Sequence, residues 1–127
     1  MSTPTDRPEE RFAGDTGFVD LSTMAGELIR EAGGSKHGHA QQTLYKHGHT
    51  TVALFGFVPG GELTRHSVSG VVTIQVIAGD VLLETPDGQH RMPSGHLARF
   101  APGTEHEVRA DAEAAILVHV ALDPSAT

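Results

Sequence analysis

Residues 59–106 carry the strongest pattern in the chain: PGGELTRHSVSG at 59–70, VVTIQVIAGD at 71–80 and, further on, SGHLARFAPGTEH at 94–106. Each of the two outer segments joins a glycine-containing turn to a histidine, and the middle segment is rich in the β-branched residues that favour strands. This stretch therefore predicts short strands that alternate with tight turns.

The same alternation continues on both sides of this stretch. Turn signals stand at 59–61, 86–88, 93–95 and 102–103, where proline and glycine occur together. The runs between them predict strands at 43–46, 51–58, 62–66, 71–77, 81–85, 96–100, 106–109 and 114–122. Eight short strands with this spacing predict an all-β protein, and a jelly roll of two sheets suits the pattern.

The N-terminal part of the chain differs from the rest. Residues 1–15 lack apolar periodicity and are expected to form a disordered tail. Residues 16–40 are expected to contain a helix and a connector, and residues 41–123 the barrel. The helix is predicted over 20–32 because apolar residues recur there at helical spacing and two glycines follow. Those apolar residues are Leu21, Met24, Ala25, Leu28, Ile29 and Ala32.

Composition narrows the classes of function. A length of 127 residues fits one domain, and the absence of cysteine excludes disulfides, thiolate metal sites and a cysteine nucleophile. The net charge of −7 disfavours binding to nucleic acid. The sequence contains neither the apolar run of a signal peptide nor one long enough to span a membrane, so we expect a cytoplasmic protein without a membrane partner.

The stretch at 59–106 resembles the paired motifs of the cupin superfamily. One motif has the form G-x5-H-x-H-x3-E-x6-G, and the other has the form G-x5-P-x-G-x2-H-x3-N. The residues that match are Gly60, His66 and Gly79 in the first motif, and Gly95, Gly103 and His106 in the second. The resemblance implies a cupin-like jelly-roll β-barrel, also called a double-stranded β-helix, preceded by a short N-terminal helix.

The resemblance also implies a site. In that family both histidines point into the barrel near its open mouth and bind a metal, which assigns His66 and His106 as metal ligands. The other two ligand positions fall on Val68 and Val72, which cannot bind a metal. Two protein ligands hold a transition metal poorly. We therefore expect one divalent ion of iron, manganese, nickel or zinc, held weakly, or none, in a pocket that Val68 and Val72 also line.

Two further residues are candidates for that pocket. Gln75 lies on the face of its strand opposite Val72, so it enters the pocket only if a bulge shifts the register; otherwise it faces solvent or a second subunit. His119 interrupts the apolar run of the last strand and either reaches the lumen or lies in the core or an interface. Strict alternation also places Glu62 on the same face as His66.

A repeated tetrapeptide, KHGH, occurs at 36–39 and 46–49. Two histidines two residues apart resemble a chelating pair, but the glycine and lysine around them favour solvated loops.

Three functions remain open: a barrel that binds a small molecule, with or without a metal ion, at His66 and His106; a metal-dependent dioxygenase or isomerase; and a dimeric regulatory or structural module with a vestigial pocket. We expect a homodimer, with the N-terminal segment and the strand at 51–58 in the contact.

Overall fold

The computed structural model describes residues 16–124, so the expected tail at 1–15 lies outside the described residues. One helix, α1 (Leu21–Ala32), precedes the strands of this part of the chain. The strands are β1 (His39–His47), β2 (Thr50–Phe57), β3 (Glu62–His66), β4 (Gly70–Ala78), β5 (Asp80–Thr85), β6 (Gly88–Pro93), β7 (Leu97–Phe100), β8 (His106–Arg109) and β9 (Ala114–Leu122).

The strands form two antiparallel sheets that pack face to face. The order is β1-β2-β9-β4-β7 in the five-stranded sheet and β3-β8-β5-β6 in the four-stranded sheet. Alternate residues of both sheets meet between them, and Phe57, Ile74, Val81, Val108 and Ile116 are fully buried there. The prediction of an all-β jelly roll with a preceding helix is confirmed.

Helix α1 begins at a capped end and packs on the outer face of the five-stranded sheet. The Asp20 carboxylate accepts one hydrogen bond from the backbone N–H of Thr23 at 3.1 Å and another from the Thr23 hydroxyl at 2.8 Å. These two bonds hold the pKa of Asp20 below its usual value. Leu28 is buried against the sheet at Gly56. A Cβ at Gly56 would lie 2.7 Å from the backbone nitrogen of Ile29, so the close approach of the helix requires glycine there.

Several boundaries differ from the sequence-based expectations. Strand β1 begins at His39 rather than at residue 43, and β6 was not predicted. In β6 only Met92 is buried, because this strand lies at the edge of its sheet and exposes the rest of its residues. Strand β2 is paired on both sides, with β1 and β9, so it offers no free edge for the expected dimer contact.

No helix among residues 16–124 is long and apolar enough to cross a membrane.

Candidate functional site

A cavity lies between the two sheets at the end where β4 begins and β9 ends. Its volume is about 210 Å³. The five-stranded sheet provides one wall, and β3, β8 and the segment after β3 provide the other. The lining residues are Gln41, Thr43, Thr51, Ala53, Phe55, Leu63, His66, Val68, Val72, Ile74, His106, Val118 and Val120.

A β-bulge in β3 brings His66 into this cavity. Leu63 pairs with Val108 of β8, and His66 pairs with His106. Between these two pairs β3 therefore contains one more residue than β8. The extra residue reverses the alternation of faces, and Leu63 and His66 both line the cavity. His66 is therefore directly opposite His106 across the two strands.

The two histidines are held in the same way. Nδ1 of His66 lies 2.8 Å from the carbonyl oxygen of Thr64, and Nδ1 of His106 lies 3.1 Å from that of Thr104. A carbonyl oxygen only accepts, so each Nδ1 carries the proton and donates it. In the neutral ring the other nitrogen, Nε2, then keeps its lone pair. Both histidines thus present a hydrogen-bond acceptor, which is also the form that binds a metal.

His106 is the more constrained of the pair. Only 2% of its surface is exposed, and its ring stacks on Phe100 with a centroid distance of 4.7 Å. The His66 ring meets it edge-on at 4.3 Å, and His66 itself is exposed at the mouth of the cavity. Burial lowers the pKa of His106 and proximity to His66 lowers it further, whereas the bond to Thr104 opposes the shift. The neutral form of His106 is therefore favoured at pH 7.

Val68 and Val72 both line the cavity together with the two histidines, at the positions where the resemblance implied two further metal ligands. Val72 is 3% exposed, and Val68 packs against the same core cluster. Within residues 16–124, no group of three or more histidine or acidic side chains is arranged to hold a metal ion. Two imidazoles are fewer than the three protein ligands usual in catalytic sites, so the residues present do not fit a firmly held metal.

Of the two further candidates for the pocket, neither Gln75 nor His119 lines this cavity. On β4 and β9 the cavity is lined by Val72, Ile74, Val118 and Val120, so the residues between them point to the other side of the sheet. Gln75 is half-buried and His119 is exposed on that outer face. The bulge of β4 lies beyond Val76, too far along the strand to turn Gln75 inwards.

Glu62 also lies elsewhere, for the same reason that His66 enters the cavity. The bulge follows Glu62, so Glu62 pairs with Arg109 on the face opposite His66.

The first KHGH segment is not wholly a loop. His39 begins β1, its ring packs near Phe55, and its Nδ1 donates to the Glu62 carbonyl oxygen at 2.8 Å. In the second segment His47 ends β1 and His49 lies in the exposed turn before β2.

Three polar residues of the cavity were missed in the sequence. Gln41 and Thr43 of β1 and Thr51 of β2 face the histidines from the five-stranded sheet. Alternation along β1 is the signal that relates Gln41 to Thr43. Their place in the cavity follows from pairing with β2 and β9, which the sequence does not reveal.

A second cavity, of about 400 Å³, lies between the β5–β6 hairpin and β7. Phe100 lines it and also stacks on His106, so this ring lies between the second cavity and the histidine pair. Asp87, His90 and Thr104 contribute polar groups to its lining.

Comparisons with known proteins identify the architecture. No protein-family model and no curated protein matches the chain. Among solved structures, the chain is similar to a conserved protein of unknown function from Streptococcus pyogenes, with 19% identity, 87% of this chain and 90% of that chain covered, and a TM-score of 0.70. It is similar to a cupin superfamily protein from Desulfitobacterium hafniense at 12% identity, with 70% and 82% covered and a TM-score of 0.66. A cupin domain from Bordetella pertussis shares 26% identity, with 70% and 97% covered and a TM-score of 0.55.

These similarities confirm the resemblance at the level of fold. The two-sheet jelly roll of residues 16–124 is the fold that these cupin structures share. The described part of the chain therefore has the cupin fold.

Proposed function

We propose that this cupin binds a small molecule in the cavity between its sheets, with His66 and His106 as the polar contacts. The observation that carries the proposal is the cavity itself, where two imidazoles, each bonded through Nδ1 to a backbone carbonyl oxygen, lie in a mostly apolar lining. An apolar cavity with a few convergent polar groups is the usual form of a ligand site.

A pair of variants on neighbouring residues of β9 tests this proposal. Val120 lines the cavity, whereas His119 points to the outer face. Val120→Phe should fill the cavity, and His119→Phe should leave it open. We expect compounds from a defined metabolite set to raise the melting temperature of the wild type and of His119→Phe, but not that of Val120→Phe. A set that stabilises no wild-type protein, or stabilises all three equally, would contradict the proposal.

Metal binding at this site is proposed to be weak. His66 and His106 supply two nitrogen ligands, and iron, manganese, nickel or zinc would need water or the bound molecule at every other position. A metal-dependent dioxygenase or isomerase is therefore the less favoured alternative, because Gln75 and His119, the residues considered as further ligands, lie outside the cavity. Metal analysis of protein purified without an affinity tag should find less than one ion per chain.

We also propose a homodimer that forms through the outer face of the five-stranded sheet beyond α1. Tyr45, Val71 and Leu97 are 38%, 47% and 59% exposed on this face. The outer face of the four-stranded sheet instead carries charged pairs such as Arg65 with Glu107, 3.7 Å apart. Two copies with a net charge of −7 each repel one another, so a face without carboxylates is the favoured contact.

Sedimentation tests the dimer. At micromolar concentration the wild type should sediment at twice the mass of the 13.4 kDa chain, and Val71→Glu should shift it to the monomer. Leu82→Glu, on the outer face of the other sheet, should remain dimeric. A wild type that sediments only as a monomer would contradict the proposal, and the alternative of a dimeric module with a vestigial pocket would then lose its support as well.

We propose a cytoplasmic location, which the absence of cysteine supports.

A further inference from the structure

We propose that the ligand of the cavity is an uncharged molecule of about one ring in size that donates a hydrogen bond, such as an alcohol or a phenol, to the histidine pair. This inference rests on the proposed function, because it names the chemical class of the molecule that binds there. Three observations carry it: the absence of charge in the lining, the protonation pattern of the histidines, and the volume of the cavity.

No lysine, arginine, aspartate or glutamate from the described part of the chain lines the cavity. On β3 and β8, Arg65 and Glu107 point outwards, where they lie 3.7 Å apart. A carboxylate, phosphate or ammonium group inside the cavity would lose water without gaining a counter-charge, which is costly. The lining therefore favours an uncharged ligand over an ionic one.

Both histidines accept rather than donate at the cavity. Each Nδ1 uses its proton in a bond to the backbone, to Thr64 or to Thr104. Nε2 of His106 makes no hydrogen bond to another residue among 16–124. In that region every side-chain nitrogen or oxygen that is fully enclosed has a hydrogen-bond partner, so Nε2 is not fully enclosed. This nitrogen is therefore accessible from the cavity. A hydroxyl or N–H donor on the ligand satisfies it, whereas an ether or a ketone does not.

The far wall adds neutral polar groups. Gln41, Thr43 and Thr51 face the histidines, and each carries both a donor and an acceptor. They can bond a second uncharged polar group of the ligand. Between the two walls the lining is apolar, with Phe55, Ile74 and the cavity-facing valines, so the body of the ligand is expected to be a hydrocarbon ring or chain.

Volume limits the size of the ligand. The cavity measures about 210 Å³. A cavity of roughly 150 Å³ accepts benzene, and drug-sized ligands usually occupy about 300 Å³ or more. A single six-membered ring with one substituent fits between these limits.

Phenol, toluene and benzoate form a matched series of probes. Phenol carries the donor, toluene has nearly the same shape without it, and benzoate adds a negative charge. Binding is followed by NMR through the methyl groups of Ile74, Val118 and Val120, which line the cavity, in buffer that contains a chelator so that no metal contributes. We expect phenol to bind about five- to tenfold more tightly than toluene, the usual effect of one hydrogen bond. Benzoate should bind at least about a hundredfold more weakly than phenol.

Variants assign the preference to the histidines. The double variant His66→Leu with His106→Leu should bring the phenol-to-toluene affinity ratio close to one, and each single variant should lower it, whereas His119→Leu, on the outer face, should retain it. If His106→Leu fails to fold, His66→Leu still decides the question, because His66 is exposed at the mouth and its loss leaves the core intact.

The outcomes separate this inference from the proposed function. Equal binding of phenol and toluene, or tighter binding of benzoate, with shifts confined to the cavity methyl groups, would overturn the ligand class and leave the binding site in place. Cavity shifts from none of the probes would overturn both. A phenol preference that survives in His66→Leu and His106→Leu would show that another group accepts the hydrogen bond, and would overturn the role of the histidines.

Discussion

Restoring the two missing ligand positions tests the geometry of the site most directly. Val68 and Val72 line the same cavity as His66 and His106. The double variant Val68→His with Val72→Glu therefore places three imidazoles and one carboxylate around one space, a donor set that suits iron, manganese, nickel or zinc. Without metal, the variant should be less stable than the wild type, because Val72 is 3% exposed and a carboxylate there is buried without a partner.

The size of the metal effect follows from linkage between binding and folding. A metal at about a hundred times its dissociation constant stabilises the folded protein by about 2.7 kcal/mol. For a domain of this size, each kcal/mol raises the melting temperature by about 4 °C, so the double variant should gain about 10 °C. The wild type, if its dissociation constant exceeds the metal concentration, gains less than about 0.4 kcal/mol, or under about 2 °C.

Thermal unfolding with and without zinc or manganese measures this difference, on protein without an affinity tag. Ser69→His with Val71→Glu adds the same groups at the residue after Val68 and the residue before Val72, and Val71 is exposed on the outer face. This control should respond as the wild type does. Metal binding by the double variant should also weaken as the pH falls through the histidine range. Equal, small responses in the double variant and the control would show that Val68 and Val72 do not face the histidines closely enough to share an ion.

Two further predictions concern stability. Leu28, on the buried side of α1, is 2% exposed, so Leu28→Ala should lower the free energy of unfolding by about 2–5 kcal/mol in urea titrations. Glu27→Ala, on the exposed side of the helix, should change it little. Equal stability of the two variants would mean that the helix is not docked on the sheet. Because the pKa of His106 is lowered in the folded protein, the unfolded chain binds the proton more readily. Stability should therefore be complete above pH 6.5 and fall as the pH drops below it, and His106→Gln should flatten that dependence in urea titrations from pH 8 to 5.

Local sequence patterns predict much of the architecture. Gly79 and Gly103 occupy turns with φ of 70° and 82°, a region where other residues are strained, so their spacing reports the turns directly. Apolar alternation in β4 and β9 marks which residues enter the core, and the helical spacing of Leu28 and its neighbours marks α1. These signals are local, and the backbone obeys them wherever the neighbouring strands lie.

The contents of the site depend on contacts between distant segments. Strict alternation along β3 places Glu62 with His66, but the bulge opposite β8 separates them and turns His66 inwards. A bulge is defined by two strands together, and the partner of β3 lies some forty residues away in the chain. Gln41 and Thr51 reach the cavity for a similar reason, through the pairing of β1 with β2 and of β2 with β9. The histidines were visible in the sequence, but their neighbours were not, because a side chain's surroundings follow from strand register, and register is a property of the assembled sheets.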